Sequence, residues 1–310
     1  VSASSRTLVA DGREVTLSNP DKLLFPDDGI TKRDLAEYYL RVAPTMLPHV
    51  LRRPVSMHRF PDGIGGDDFF HKNVPDYFPG WIHTRVVPKE GGTVRHVLCD
   101  DAATLVYLAG QACITPHVWL SRVDRLDHPD RMVFDLDPPD GAVGRVREAA
   151  RIVRDALVAL GLTPYLMTTG SRGFHLWLAL DRSRTFDEAR AFAHDLARVL
   201  AARHPARLTV EQRKAARGGR VFLDYLRNGY AQTAVAPYAV RARPGAPVAT
   251  PLDWAELDGM EPRRYTIRNL FQRLAQKDDP WAAIGAEATS LAAARETLDG
   301  WLAEVDDDGS

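Results

Sequence analysis

The sequence predicts an α+β fold, mixed sheets flanked by helices, on three observations. Hydrophobic residues make up 45% of the 310 positions and charged residues 26%, the balance of a globular chain long enough to bury a substantial core. No apolar run approaches the roughly 20 residues that span a bilayer, so no membrane role is expected. From residue 131 onward, strand-like and helix-like stretches follow one another as strand, helix, strand, strand, helix, strand. That order suits an α+β sheet better than a doubly wound parallel one.

Taken in order, residues 31–43 (TKRDLAEYYLRVA) predict a helix, with Thr31 as N-cap and Leu35, Tyr38, Tyr39 and Val42 along one face. Segments 54–60 and 82–98 read as strands, the second a hairpin turning at Glu90-Gly91-Gly92. A helix over 101–112 and a strand near 116–122 come next. RMVFDLD (131–137) is a strand, followed by a helix over 143–160, strands over 163–169 and 174–180, and a helix over 186–203. GRVFLDYL (219–226) and YAVRAR (238–243) predict two further strands, and 264–276 and 285–304 two further helices. No linker interrupts the chain, so residues 1–310 are expected to form a single domain of two joined lobes, ending in an acidic tail over 304–310.

Cys99 and Cys113 are the only cysteines, and they form no CxxC pair. That excludes a disulfide framework and a cysteine-rich zinc site and fits a reducing cytoplasm. Val1-Ser-Ala-Ser-Ser does not begin a signal peptide. The net charge of -1 conceals an asymmetry: residues 201–250 carry nine Lys/Arg against two acids, Glu211 and Asp224. Such a local excess attracts polyphosphate, although a solvated surface shows the same pattern.

In MVFDLDPP, Asp135 and Asp137 stand two apart, which on a strand puts both carboxylates on one face and Leu136 on the other. Pro138-Pro139 then ends the strand. Two like charges held so close call for a cation, and Mg²⁺ or Mn²⁺ with bound phosphate is the natural occupant. A bare D-x-D is equally the solvated end of a strand. Sugar-nucleotide transferases and aspartyl phosphatases use it too, but the phosphatase pattern wants Thr or Val where Pro139 stands. Asp224, after Val221-Phe222-Leu223, offers a third carboxylate from a second apolar strand.

TTGSRGFHLWL (168–178) places Gly170 and Gly173 around Ser171 and Arg172 and then enters a strand with His175 and Trp177 on one face. Small residues admit an anion to the backbone, and Ser, Arg and His supply donors to phosphate. The segment lacks the GK[ST] ending of a P-loop. Read alone, it is also compatible with a glycine-rich hairpin and a core histidine.

Together MVFDLDPP, TTGSRGFHLWL, VFLDYLRN and QTAVAPYAVRARPGAPVATPLDWAEL resemble the polymerase domain of bacterial ligase D, a domain of the archaeo-eukaryotic primase superfamily that serves in non-homologous end joining. The similarity runs from TLSNPDKLLFP to about residue 275. It implies a primase-polymerase fold with an RRM-like catalytic core. Asp135, Asp137 and Asp224 match the metal carboxylates, which would hold two Mn²⁺ or Mg²⁺ ions with an NTP or dNTP. Thr169, Ser171, Arg172 and His175 match the segment that grips the incoming triphosphate, Arg241 a second triphosphate contact, and His117 a histidine near the catalytic centre. Asn19, Lys22 and Lys32 match the pocket for a 5′-phosphate, and Phe69 and Phe70 in DDFFHKN match aromatics that stack on template bases. Lys72, Lys214, Arg217 and Arg220 are carried as contacts to the DNA backbone, with Arg213 beside them.

The implied activity is template-directed addition of NTPs or dNTPs to a primer 3′-end at gaps or broken DNA ends. Implied partners are DNA carrying a 5′-phosphate, a Ku-like end-binding protein and a DNA ligase, in the bacterial cytoplasm and on the nucleoid during repair. The rival reading is a non-catalytic DNA-end or gap-binding module, against which the three carboxylates speak. No K-x-D-G ligase signature or nuclease domain is recognisable, and the polar acidic ending favours a free-standing protein over an excised ligase domain.

Overall fold

The computed structural model describes residues 4–139 and 141–308. Gly309 and Ser310, the end of the expected acidic tail, lie outside the described residues, as do the first three positions. The chain divides into two compact units. The first comprises residues 1–124, 233–250 and 265–278, the second residues 125–232, 251–264 and 279–310.

The first unit opens with a hairpin of β1 (Ser5–Ala10) and β2 (Arg13–Ser18). Its turn, Asp11-Gly12, sits at φ 49° and 72°, the left-handed pair that the Asp-Gly dipeptide favours. A small pair, β3 (Leu23–Phe25) and β4 (Ile30–Thr31), leads into α1 (Lys32–Val50). Thr31 caps that helix in a reciprocal box with Asp34, as expected, and the helix runs on through Pro44 and Pro48. The unit's main sheet follows the order β15-β9-β5-β8-β7, from β5 (Pro54–Arg59), β7 (Thr84–Lys89), β8 (Gly92–Leu98), β9 (Cys113–Trp119) and β15 (Thr233–Val235). β6 (Phe69–His71) pairs with the far end of β5, and α2 (Ala102–Gly110) is capped by Asp101.

The second unit follows the predicted strand–helix rhythm. Its elements are β10 (Arg131–Asp137), α3 (Val143–Ala159), β11 (Tyr165–Thr168), β12 (Phe174–Ala179), α4 (Phe186–Arg203) and β14 (Val221–Asp224). The sheet runs β13-β14-β10-β12-β11-β16, closed at its edges by β13 (Leu208–Thr209) and β16 (Pro251–Leu252). Fourth, first, third, second is the strand order of the split βαβ unit, the RRM-like core the resemblance implies. Every pairing is antiparallel except β13 with β14. β10 lies at the centre, with Met132, Val133, Phe134 and Leu136 all buried.

Several expectations fail locally. YAVRAR (238–243) is not a strand: Tyr238 adopts φ 65°, which turns the chain, and only Val240 keeps a single bridge, to Val248. The helix expected over 264–276 shrinks to α5 (Leu270–Leu274), because Tyr265 and Thr266 are tied to Val248 and Pro247 as extended chain. The last helix, α6 (Ala292–Asp308), starts late and extends into the acidic run. There Glu304 pairs with Arg203 and Asp306 with Arg198, both on α4. Cys99 and Cys113 are buried free thiols, and no described helix is long and apolar enough to cross a membrane.

Candidate active site

Three neighbouring strands of the second unit line up the acids. Asp224 on β14 and His175 on β12 both stand directly across from Asp135 on β10. Residues facing one another across a ladder share a side of the sheet, as do residues two apart on one strand, so Asp137 joins the row. Asp224, Asp135 and His175 thus cross the sheet in one line.

Like charges so placed repel, and each acid meets a nitrogen base or cation. His175 Nε2 lies 3.4 Å from Asp135, Arg172 3.5 Å from Asp137 and Arg227 3.9 Å from Asp224. Asp224 also accepts the backbone N–H of Leu226 at 2.8 Å. Burial nonetheless dominates. It pushes the Asp137 carboxyl above the ordinary range, and the charges of Asp135 and Asp224 push further, against Arg172 and Arg217. Burial likewise raises Asp224, opposed by the Leu226 N–H and reinforced by Asp135.

An all-oxygen set of carboxylates whose charge is unwelcome where it stands fits a hard divalent cation such as Mg²⁺ or Mn²⁺. Among the described residues, no group of three or more His, Cys, Asp or Glu side chains forms a ready-made metal site. The row is an acidic face, each carboxylate turned towards its own neighbour.

The glycine-rich segment joins β11 to β12. Thr169, expected as a nucleotide contact, braces this turn: its hydroxyl accepts the N–H groups of Ser171 and Gly173 at 3.2 Å and donates to Gly173 O at 3.0 Å. A side chain at Gly173 would place Cβ 2.0 Å from the carbonyl oxygen of Leu136, the residue between the two acids. Only glycine lets the turn lie this close to β10. Ser171 O accepts from Arg263 at 2.8 Å, and half-exposed Arg172 projects beside Asp137. The Trp177 indole N–H donates to His175 Nδ1 at 3.4 Å.

The basic segment is more self-contained than its composition suggested. Arg217 stacks on Phe222 at 4.0 Å and donates to the carbonyls of Glu211 and Gln212. Arg220 donates to the carbonyls of Arg217 and Ala216. Both brace their own loop, while Arg213 and Lys214 are exposed.

The remaining expected residues belong to the first unit. Lys22 pairs with Asp62 at 2.7 Å. Lys32 is buried and donates to Ser18 O at 2.8 Å, and burial, then Lys22 and Arg59, lowers its pKa. Arg59, which the sequence reading passed over in HRF, therefore belongs to the same positive neighbourhood. Asn19 is exposed at φ 50°, its carbonyl accepting the Lys22 N–H. Phe69 and Phe70 are 43% and 52% exposed on β6, and His117 on β9 meets Phe70 edge-on at 5.2 Å. Lys72 is exposed, and the backbone of Arg241 donates to Pro247 O.

The chain is similar to known proteins over most of its length. A family model described as the LigD primase-polymerase domain matches residues 31–281. The multifunctional non-homologous end joining protein LigD of Mycobacterium bovis is 35% identical over 288 residues, covering 90% of this chain and 38% of that protein. The Pseudomonas aeruginosa protein of the same description is 36% identical, covering 90% and 34%. The bifunctional LigD of Bacillus subtilis is 30% identical, covering 84% and 42%. The chain thus spans less than half the length of these relatives. The solved polymerase domain of Mycobacterium tuberculosis ligase D in complex with DNA superposes with a TM-score of 0.83 at 35% identity, covering 89% of this chain and 99% of that one.

Proposed function

The chain belongs to the LigD primase-polymerase domain family, and on that premise we propose that it is a template-directed nucleotidyltransferase. It adds NTPs or dNTPs to a primer 3′-hydroxyl at gaps or broken DNA ends, releasing pyrophosphate. The observation that carries this reading is the row of Asp224, Asp135 and His175 across three strands, with Asp137 beside it. A binding module has no use for three carboxylates gathered at a cost in charge.

Asp135, Asp137 and Asp224 would hold a pair of Mg²⁺ or Mn²⁺ ions. The chemistry such ions supply is acidification of the attacking hydroxyl and neutralisation of the leaving pyrophosphate. Ser171 and Arg172 would bind the triphosphate from the braced turn, with Arg172 exchanging Asp137 for phosphate. His175, held from behind by Trp177, would present Nε2 to the same anion. From the first unit, Lys22, Lys32 and Asn19 would bind a 5′-phosphate, Phe69 and Phe70 would stack on template bases, and His117 and Arg241 would take the roles their matches imply. Lys72 and Lys214 would meet the DNA backbone, with Arg217 and Arg220 shaping the loop that presents Lys214. A Ku-like protein and a ligase would act before and after.

The test is extension, with Mn²⁺, of a 5′-phosphorylated gap, an unphosphorylated gap and an unprimed template, with NTPs and with dNTPs. Extension is expected, strongest on the phosphorylated gap. No extension on any substrate refutes the polymerase reading, and indifference to the 5′-phosphate removes the role of Lys22 and Lys32.

A further inference from the structure

The antiparallel register of β5 and β6 sets His58 directly opposite Phe70. Their rings lie parallel, with centroids 4.2 Å apart and planes 12° apart. His58 also meets Phe60 at 4.4 Å with the planes tilted by 49°, and the Phe70 and His117 rings meet in a T at 5.2 Å. His58 Nε2 stands 2.5 Å from the carboxylate of Asp68, which fixes the rotation of the imidazole. Phe60, His58 and Phe70 thus form a run of touching rings that starts buried at Phe60 and ends at Phe70, 52% exposed.

A single exposed aromatic needs no explanation. What asks for one is a ring stacked parallel on His58 and in T-shaped contact with His117 that nevertheless stays 52% exposed. Its neighbour Phe69, on the opposite side of the strand, meets the His71 ring at a tilt of 55° and 5.8 Å and has the Arg59 guanidinium over it at 5.5 Å. Of the two, Phe70 is the one in parallel stacking with a second ring. Nucleobases gain most from stacking on an aromatic face that is already ordered, because no side-chain entropy is then lost on binding.

We propose that His58 and Asp68 are positioning residues that hold Phe70 as a platform, on whose exposed surface a template base stacks. This rests on the reading of Phe70 as a template-stacking residue. His58 acts through Phe70 and does not touch the nucleotide.

The test places 2-aminopurine at successive unpaired template positions of a 5′-phosphorylated gap and follows its fluorescence as the full chain binds. In the wild type one position is quenched. Phe70→Ala abolishes that signal and weakens gap binding by roughly 5- to 150-fold. His58→Ala diminishes the same signal, with binding weakened about two- to tenfold, the range of an aromatic pair. Its KM for DNA rises while kcat at saturating DNA holds, and His58→Phe restores part of the signal. Asp68→Asn, at an exposed site of unchanged shape, gives a smaller loss at the same position and decides the matter if His58→Ala folds poorly. Full signal in His58→Ala and Asp68→Asn, with loss in Phe70→Ala, overturns the positioning role alone. Full signal in Phe70→Ala overturns the stacking reading and this proposal with it.

Discussion

Asp137 is held where its charge is unwelcome. Burial first, then Asp135, raises its pKa against the pull of Arg172 and Arg217. A folded-state pKa above the unfolded value means that the folded state binds the proton more tightly. The contribution to stability is therefore present below the unfolded carboxylate range and is lost as pH rises through the raised value. At pH 7 Asp137→Asn should raise Tm by roughly 1–4 °C, and the difference should vanish as pH falls towards 4. Mn²⁺ should raise the Tm of the wild type more than that of the variant, since it binds the folded carboxylates. Thermal melts across pH check this, and a lower Tm for the variant at pH 7 would mean that its pairing with Arg172 outweighs burial. The spacing of Asp135 and Asp137 was readable in the sequence because strand periodicity is local. That Asp224 and His175 both face Asp135 was not, since register between distant strands is set by tertiary pairing. The same limit hid the bracing roles of Thr169, Arg217 and Arg220, and the nearness of Arg59 to Lys32.

The elements that position the site depend on a few close approaches. At Gly173 an added Cβ would strike Leu136 O, a backbone atom that cannot yield without moving the end of β10. Gly173→Ala should therefore cost about 1–3 kcal/mol or more in stability and lower extension even where the fold survives. Denaturant melts and primer extension check both effects, and a variant with wild-type values for both would show that the turn does not press on β10 as described. The helix after Thr31 was legible from its cap, and the structure shows Thr185 capping α4 in the same reciprocal way, each with the residue three on. The Asp11-Gly12 hairpin carried an equally local signal that the reading missed. YAVRAR failed for a different reason. Its alternation looked like a strand, but Tyr238 is turned into the left-handed region, its carbonyl accepting from Tyr38, while Val240 N–H donates to Tyr39. Contacts 200 residues away in sequence override the local pattern.

At the scale of the whole chain, two units each carry a sheet of their own, and the proposed roles divide between them. The second bears the acidic row and the glycine-rich turn, the first the lysines and the exposed phenylalanines. Within the second unit, Glu304 and Asp306 of α6 pair with Arg203 and Arg198 of α4, which offsets part of its basic charge. In the proposed function the carboxylate row is the centre of a polymerase, and DNA binding is carried by other residues. The measurement that meets it most directly is primer extension with Mn²⁺ on a 5′-phosphorylated gap, with gap affinity measured in parallel, for the wild type and for Asp135→Ala combined with Asp137→Ala. The account predicts that the wild type extends the primer and that the double variant binds the gap with the same affinity yet leaves the primer unextended. Wild-type-like extension by the double variant would contradict it.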